Sequence, residues 1–173
     1  MHFFSKKTGS VLIEAMVGLS LVIFSFGGII ALVSRGFQLN TDALNKFVAV
    51  NLATEGIEII KNSLDTNLYQ ANSGWNTIRS GMYELDYTCD EIDAPPCSYY
   101  AAGGRSSTPL KRDSDGTYAY DSGVETTFKR SVVIDASDGD SVKVYSIVRW
   151  DNRGTEEEVQ ISDVFFRWRK DPN

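Results

Sequence analysis

The sequence predicts an α+β protein in which one long N-terminal helix packs on an antiparallel β-sheet. Three observations carry that prediction. An uncharged apolar run extends from Ala15 to Val33. Apolar residues then recur at helical spacing as far as Leu64. After Thr126, three strand-like runs follow one another across short turns. A chain of 173 residues with 12% aromatic content suits one domain plus an anchor, with enough apolar volume for a core.

Residues 10–34 read as a membrane helix, long enough to cross a hydrocarbon layer of about 30 Å. Lys6 and Lys7 hold its start on the cytoplasmic side, so the domain after Arg35 lies outside. Residues 35–68 read as an amphipathic continuation of the same helix. Leu44, Phe47, Val48, Leu52, Ala53, Ile57, Ile60 and Leu64 make an apolar stripe, with Lys46, Glu55, Glu58 and Lys61 on other faces. Asn40-Thr41-Asp42 offers a cap for a restart if the chain kinks near Gly36.

Residues 69–173 read as a β-rich domain. Ser73-Gly74-Trp75-Asn76 ends the helical pattern, and Met82 to Tyr87 alternates. Ala101 to Pro109 is loop-like in composition. The three strong strand candidates are Thr126 to Ile134, Val142 to Trp150 and Val159 to Trp168. Turns at Ser137-Asp138-Gly139-Asp140 and Asp151-Asn152-Arg153-Gly154 separate them, which predicts an antiparallel meander. Val142 and Val144, with Ser146 as a further candidate, share one face, and the stripe on the helix covers it.

Glu14 stands out inside the apolar segment. A charge at the centre of a membrane helix costs roughly 2.5–3.5 kcal/mol, less near an end. The cheapest compensation is a positive partner, which an amino terminus freed at Ser10 would supply. The basic leader Lys6-Lys7-Thr8-Gly9, the start Ser10-Val11-Leu12-Ile13-Glu14-Ala15 and the uncharged run behind it resemble the type IV pilin superfamily. Asn51 to Ile60 is similar, more loosely, to the helix of minor pilins and pseudopilins. The resemblance implies a leader of residues 1–9 and cleavage between Gly9 and Ser10 by a prepilin peptidase, which also methylates the new amino terminus. It implies that Glu14 acts in assembly by pairing with the amino terminus of a neighbouring subunit.

The implied partners are other pilin or pseudopilin subunits, the prepilin peptidase/methyltransferase, the inner-membrane assembly platform and the membrane itself. The implied location is the cytoplasmic membrane, then a cell-surface or periplasmic filament. Two departures from the family pattern are the serine at the mature start and the absence of proline between Ser10 and Val33, where Gly27-Gly28 stands instead. The second favours a minor pilin or pseudopilin over the bulk subunit. A pseudopilin of a type II secretion or DNA-uptake machine is the alternative within the superfamily. A membrane-anchored extracytoplasmic binding module is the alternative of another class.

Formal net charge is −6, and loss of the leader removes Lys6 and Lys7 and nothing acidic, giving −8. Such a balance argues against general binding to nucleic acid through phosphates. Arg167-Trp168-Arg169-Lys170 is the densest basic stretch and reads as a solvated tail. Cys89 and Cys97 bracket Pro95-Pro96, and an oxidising compartment favours a local disulfide over two unpaired thiols. The only histidine is His2, and no nucleophile elbow or phosphate loop occurs, so no enzymatic activity is expected. No cofactor is expected either. Calcium is the one cation to weigh, at Asp113-Ser114-Asp115-Gly116 and at Asp135, Asp138 and Asp140, although neither stretch completes a calcium loop. Tyr99, Tyr100, Tyr118, Tyr120, Trp150, Phe165, Phe166 and Trp168 read mainly as core and sheet residues, with a contact surface as the other reading.

Overall fold

Helical residues run from Lys7 to Tyr69 as α1, 63 residues without a break at Gly36 or at Asn40–Asp42. The computed structural model describes residues 7–69, 78–89, 97–100 and 108–167, with side chains for 10–66, 78–89, 97 and 108–167. The helix end expected at Ser73–Asn76, Pro95-Pro96, most of the loop to Pro109 and the basic stretch beyond Arg167 lie outside the described residues. Two compact units divide the chain, one up to Leu44 and one from Asn45.

Among the described residues, the first unit is helix alone. Its most apolar 18-residue window has a mean hydropathy of 2.4, which is long and apolar enough to cross a membrane. Every described side chain from Val11 to Val33 is exposed. Its two mid-run hydroxyls are satisfied within the helix. Ser20 Oγ donates to the Met16 carbonyl and Ser25 Oγ to the Leu21 carbonyl, both at 2.7 Å. Such back-bonding removes the polar cost of serine in an apolar surrounding.

Among the described residues, the second unit contains the last part of α1 and eight strands. These are β1 (Gly81–Glu84), β2 (Ser98–Tyr100), β3 (Lys111–Arg112), β4 (Tyr118–Ala119), β5 (Val124–Glu125), β6 (Lys129–Asp135), β7 (Ser141–Asn152) and β8 (Thr155–Phe166). One antiparallel sheet has the order β2-β1-β6-β7-β8, and a small one has the order β4-β3-β5. The β6-β7-β8 meander matches the sequence expectation. The β7–β8 turn is tighter than expected. Arg153 (φ 56°) and Gly154 (φ 84°) form a two-residue connection between Asn152 and Thr155, which are paired. Two positive φ values in succession match the twist of a hairpin, so both strands run further into the turn.

On β7, Val142, Val144, Ser146, Val148 and Trp150 point inward. They meet Ala49, Leu52, Ala53, Ile57, Ile60 and Leu64 of α1, in two apolar clusters that also take in Val132 and Ile134 of β6 and, from outside the strands, Phe128. The expected stripe needs one correction. Leu44 and Phe47 are 56% and 64% exposed, and contact with the sheet begins at Val48 and Ala49. Small residues make this contact because the helix comes very close. A Cβ on Gly56 would lie 2.5 Å from Ser146 Oγ, 3.1 Å from Val132 Cγ2 and 3.3 Å from Arg130 Cδ.

Arg130, on β6, is fully buried beside that contact. Its Nη1 donates to the Leu52 carbonyl at 3.0 Å and lies 3.3 Å from Glu55 Oε2. Its Nη2 donates to the Leu85 carbonyl. The guanidinium thus ties α1 to β6 and to the segment after β1. The strands β2 to β5 were not legible, because two- and three-residue strands within Gly-, Ser- and Asp-rich sequence show no alternation.

Gly56→Ala should lower stability by up to about 2 kcal/mol, because overpacking of about 1–3 kcal/mol opposes a gain in helix propensity of about 1 kcal/mol. Ser146→Ala should be neutral or mildly stabilising, since Ser146 Oγ is buried without a hydrogen-bond partner among the described residues. Combined, the two should recover roughly 1 kcal/mol of the glycine variant's loss. Urea unfolding of the detergent-solubilised chain, followed by tryptophan fluorescence, measures all three, and strict additivity would contradict the contact.

Candidate functional site

Gly9, Ser10 and Glu14 all lie on α1. Residues four apart on a helix share a face, about 6 Å apart along the axis. Glu14 therefore sits one turn beyond Ser10. It is exposed and makes no ion pair or hydrogen bond among the described residues. Its neighbours Leu12, Ile13 and Met16 are apolar and exposed as well. A carboxylate in such a setting binds a cation when both leave water together. Attraction grows as the dielectric falls, while desolvation opposes it.

Cys89 and Cys97 form a disulfide, with Cα atoms 5.5 Å apart. Buried Asp86 organises the approach to it. Its carboxylate accepts hydrogen bonds from the Thr88 N–H, the Thr88 hydroxyl and the Tyr120 N–H, and its carbonyl accepts from the Cys89 N–H. Tyr120 in turn donates its hydroxyl to the Arg130 carbonyl at 3.2 Å. Burial raises the pKa of that hydroxyl well above the ordinary tyrosine value. Arg130 opposes the shift, and Glu84 and Asp86 add to it.

The aspartates weighed for calcium are engaged in their own turns. Asp113 accepts from the Ser114 N–H and the Ser122 hydroxyl, and Asp115 accepts from the Thr117 N–H and hydroxyl. Asp135 accepts from Ser137 in the same two ways. Asp138 accepts from the Asp140 N–H and the Ser141 hydroxyl. Among the described residues, no group of three or more His, Cys, Asp or Glu is arranged to hold a metal ion.

The aromatic residues divide. Trp150 is buried against Phe128, with ring centroids 6.1 Å apart. Tyr118, Tyr120 and Phe165 are half-buried against the core, and Phe166 is 67% exposed. Tyr99 and Tyr100 lie in β2, and their side chains, like Trp168, are outside the described set. A surface cavity of 470 Å³ opens between Glu125, Thr126, Lys129, Arg149, Asp151 and Glu156. Arg149 there is held by Glu158 at 2.6 Å and Glu156 at 3.8 Å, so part of its charge is already neutralised. Sequence reasoning missed this cavity, because its walls come from β5, β6, β7 and β8 and share no local pattern.

The fold thus defines an α+β chain with a membrane-length apolar helix ahead of a disulfide-bearing antiparallel sheet domain. That arrangement is compatible with the pilin-like architecture. No family model matches the chain, nor does any curated protein or solved structure.

The β6–β7 turn should loosen in acid. Hydrogen bonds from Ser137 hold Asp135, and those from Asp140 and Ser141 hold Asp138, below the ordinary aspartate value of 3.8. A depressed folded-state pKa contributes stability above the unfolded value and loses it as the pH falls through the folded value. Protection of the Ser137 and Asp140 amides, relative to intrinsic exchange, should therefore fall only below about pH 3.8. Carboxyl carbons titrating at or above the ordinary value would rule this out.

Proposed function

We propose that this chain is a structural subunit of a type IV pilus-like filament, made as a prepilin and more akin to a minor than a major pilin. The observation that carries the reading is a lone carboxylate, Glu14, one helical turn past Ser10 in the otherwise uncharged, exposed stretch of α1 from Ser10 to Ser34. A single-span anchor has no use for that charge. A bundle of staggered helices does, because the carboxylate of one copy reaches the amino terminus of another. The Gly9–Ser10 bond is the cleavage point, and Ser10 carries the methylated amine. The role is assembly without catalysis. The chain waits in the cytoplasmic membrane, with the Asn45–Asn173 unit outside, until it is drawn into the filament.

The disulfide supports the extracytoplasmic placement, since such bonds persist in oxidising compartments. The uncovered apolar side chains of α1 support burial against lipid first and other helices later.

Intact mass of the membrane-extracted protein should show loss of residues 1–9 and gain of one methyl group. An uncut chain, or a start at Ser34, would sink the prepilin reading. Glu14→Gln and Glu14→Val should leave membrane levels and the outer domain unchanged while sharply reducing recovery in sheared filaments. Wild-type incorporation of both variants would remove the role given to Glu14.

A further inference from the structure

β8 forms one edge of the large sheet, and among the described residues it pairs with β7 alone. It is 12 residues long, more than is usual for an unprotected edge. Which of its peptide groups face outward follows from two bonds. The Val164 N–H is taken by the Asp163 side chain at 2.8 Å. The Arg167 N–H returns to the Asp140 carbonyl at 2.9 Å, on the β7 side. Peptide groups alternate along a strand, so Glu158, Gln160, Ser162 and Val164 present theirs to the free edge. Their side chains are exposed too. On the inner face, Val159, Ile161 and Phe165 touch the core yet stay only half-buried.

We infer that β8 pairs antiparallel with β8 of a second copy of this chain, about a two-fold axis at Ser162. Charge selects this register. It sets Glu157 opposite Arg167 of the second copy, at both ends, and Val159 opposite Phe165. An axis at Gln160 would oppose Glu157 and Asp163, and one at Asp163 would oppose that carboxylate to itself. Like charges directly opposite are destabilising. An axis at Ile161 opposes no charges of opposite sign, so it lacks the end pairs. Glu157 lies on β8 and Arg167 directly follows it, so one short segment carries both complementary ends, which identifies the occupant as a second copy. Glu157 already accepts from Asn152 Nδ2 at 2.6 Å, and a carboxylate has acceptor capacity beyond one such bond. On pairing, the Val164 N–H exchanges the Asp163 carboxylate for the Gln160 carbonyl of the second copy. The half-buried Val159 and Phe165 gain cover. None of this requires the reading of the N-terminal segment.

The test uses the full chain in the membranes that contain it. Ser162→Cys should give a disulfide-linked dimer on mild oxidation, since opposed residues bring Cβ atoms to about 5 Å. Ser114→Cys, on an exposed turn of the small sheet, should not. Arg167→Glu added to Ser162→Cys should cut the dimer at least roughly tenfold, the loss that about 1.4 kcal/mol produces. Adding Glu157→Arg as well should restore it. The inference fails if Ser162→Cys gives no dimer or links to a protein of another mass. It also fails if Ser114→Cys links equally well, or if the charge swap does not restore the dimer.

Discussion

The buried guanidinium of Arg130 is the interaction on which the sheet domain depends. It reaches the carbonyl of Leu52 on α1 and that of Leu85 after β1, with Glu55 as its counter-ion. A buried charge of this kind is costly unless it is paired and hydrogen-bonded. Here both conditions hold on its terminal nitrogens. Gly56 makes the geometry possible, because only a residue without Cβ lets the helix approach Ser146 and Val132 so closely. The two apolar clusters lie on either side of this polar crossing.

Much of the architecture was legible in the sequence. The apolar run, the helical stripe and the β6-β7-β8 meander each follow a period that chain geometry imposes. What escaped reading was set by tertiary contact. Leu44 and Phe47 have the right spacing for the stripe, yet close packing at Ala49, Ala53 and Gly56 governs where the sheet touches. Arg130 reads as an ordinary strand arginine, since nothing local marks it as the residue that turns inward. The segment around Glu14 was the reverse case. The role proposed for Glu14 rests on local order, with Lys6-Lys7, Gly9 and a carboxylate one turn past Ser10, and the folded chain adds only its exposure.

The two units answer to different physics. Up to Leu44 the chain meets its surroundings through apolar side chains that no described part of the same chain covers. From Asn45 onward it closes on itself, with polar turns held by Asp–Ser and Asp–Thr hydrogen bonds. The disulfide and the Asp86 network add a second set of ties close to the Arg130 crossing. Tyr120 lies between the two sets, its N–H donating to Asp86 and its hydroxyl to the Arg130 backbone carbonyl.

The link between Arg130 and Leu52 spans 78 residues of chain. During synthesis the helix emerges first, and its face from Ala49 to Leu64 has nothing to rest on until β6 and β7 follow. Long-range contacts of this kind delay folding until the loop between them has closed. A nascent chain holding its apolar face open that long is exposed to aggregation. The order of elements thus makes the sheet domain a late folder, completed only once its C-terminal hairpin has followed the helix it covers.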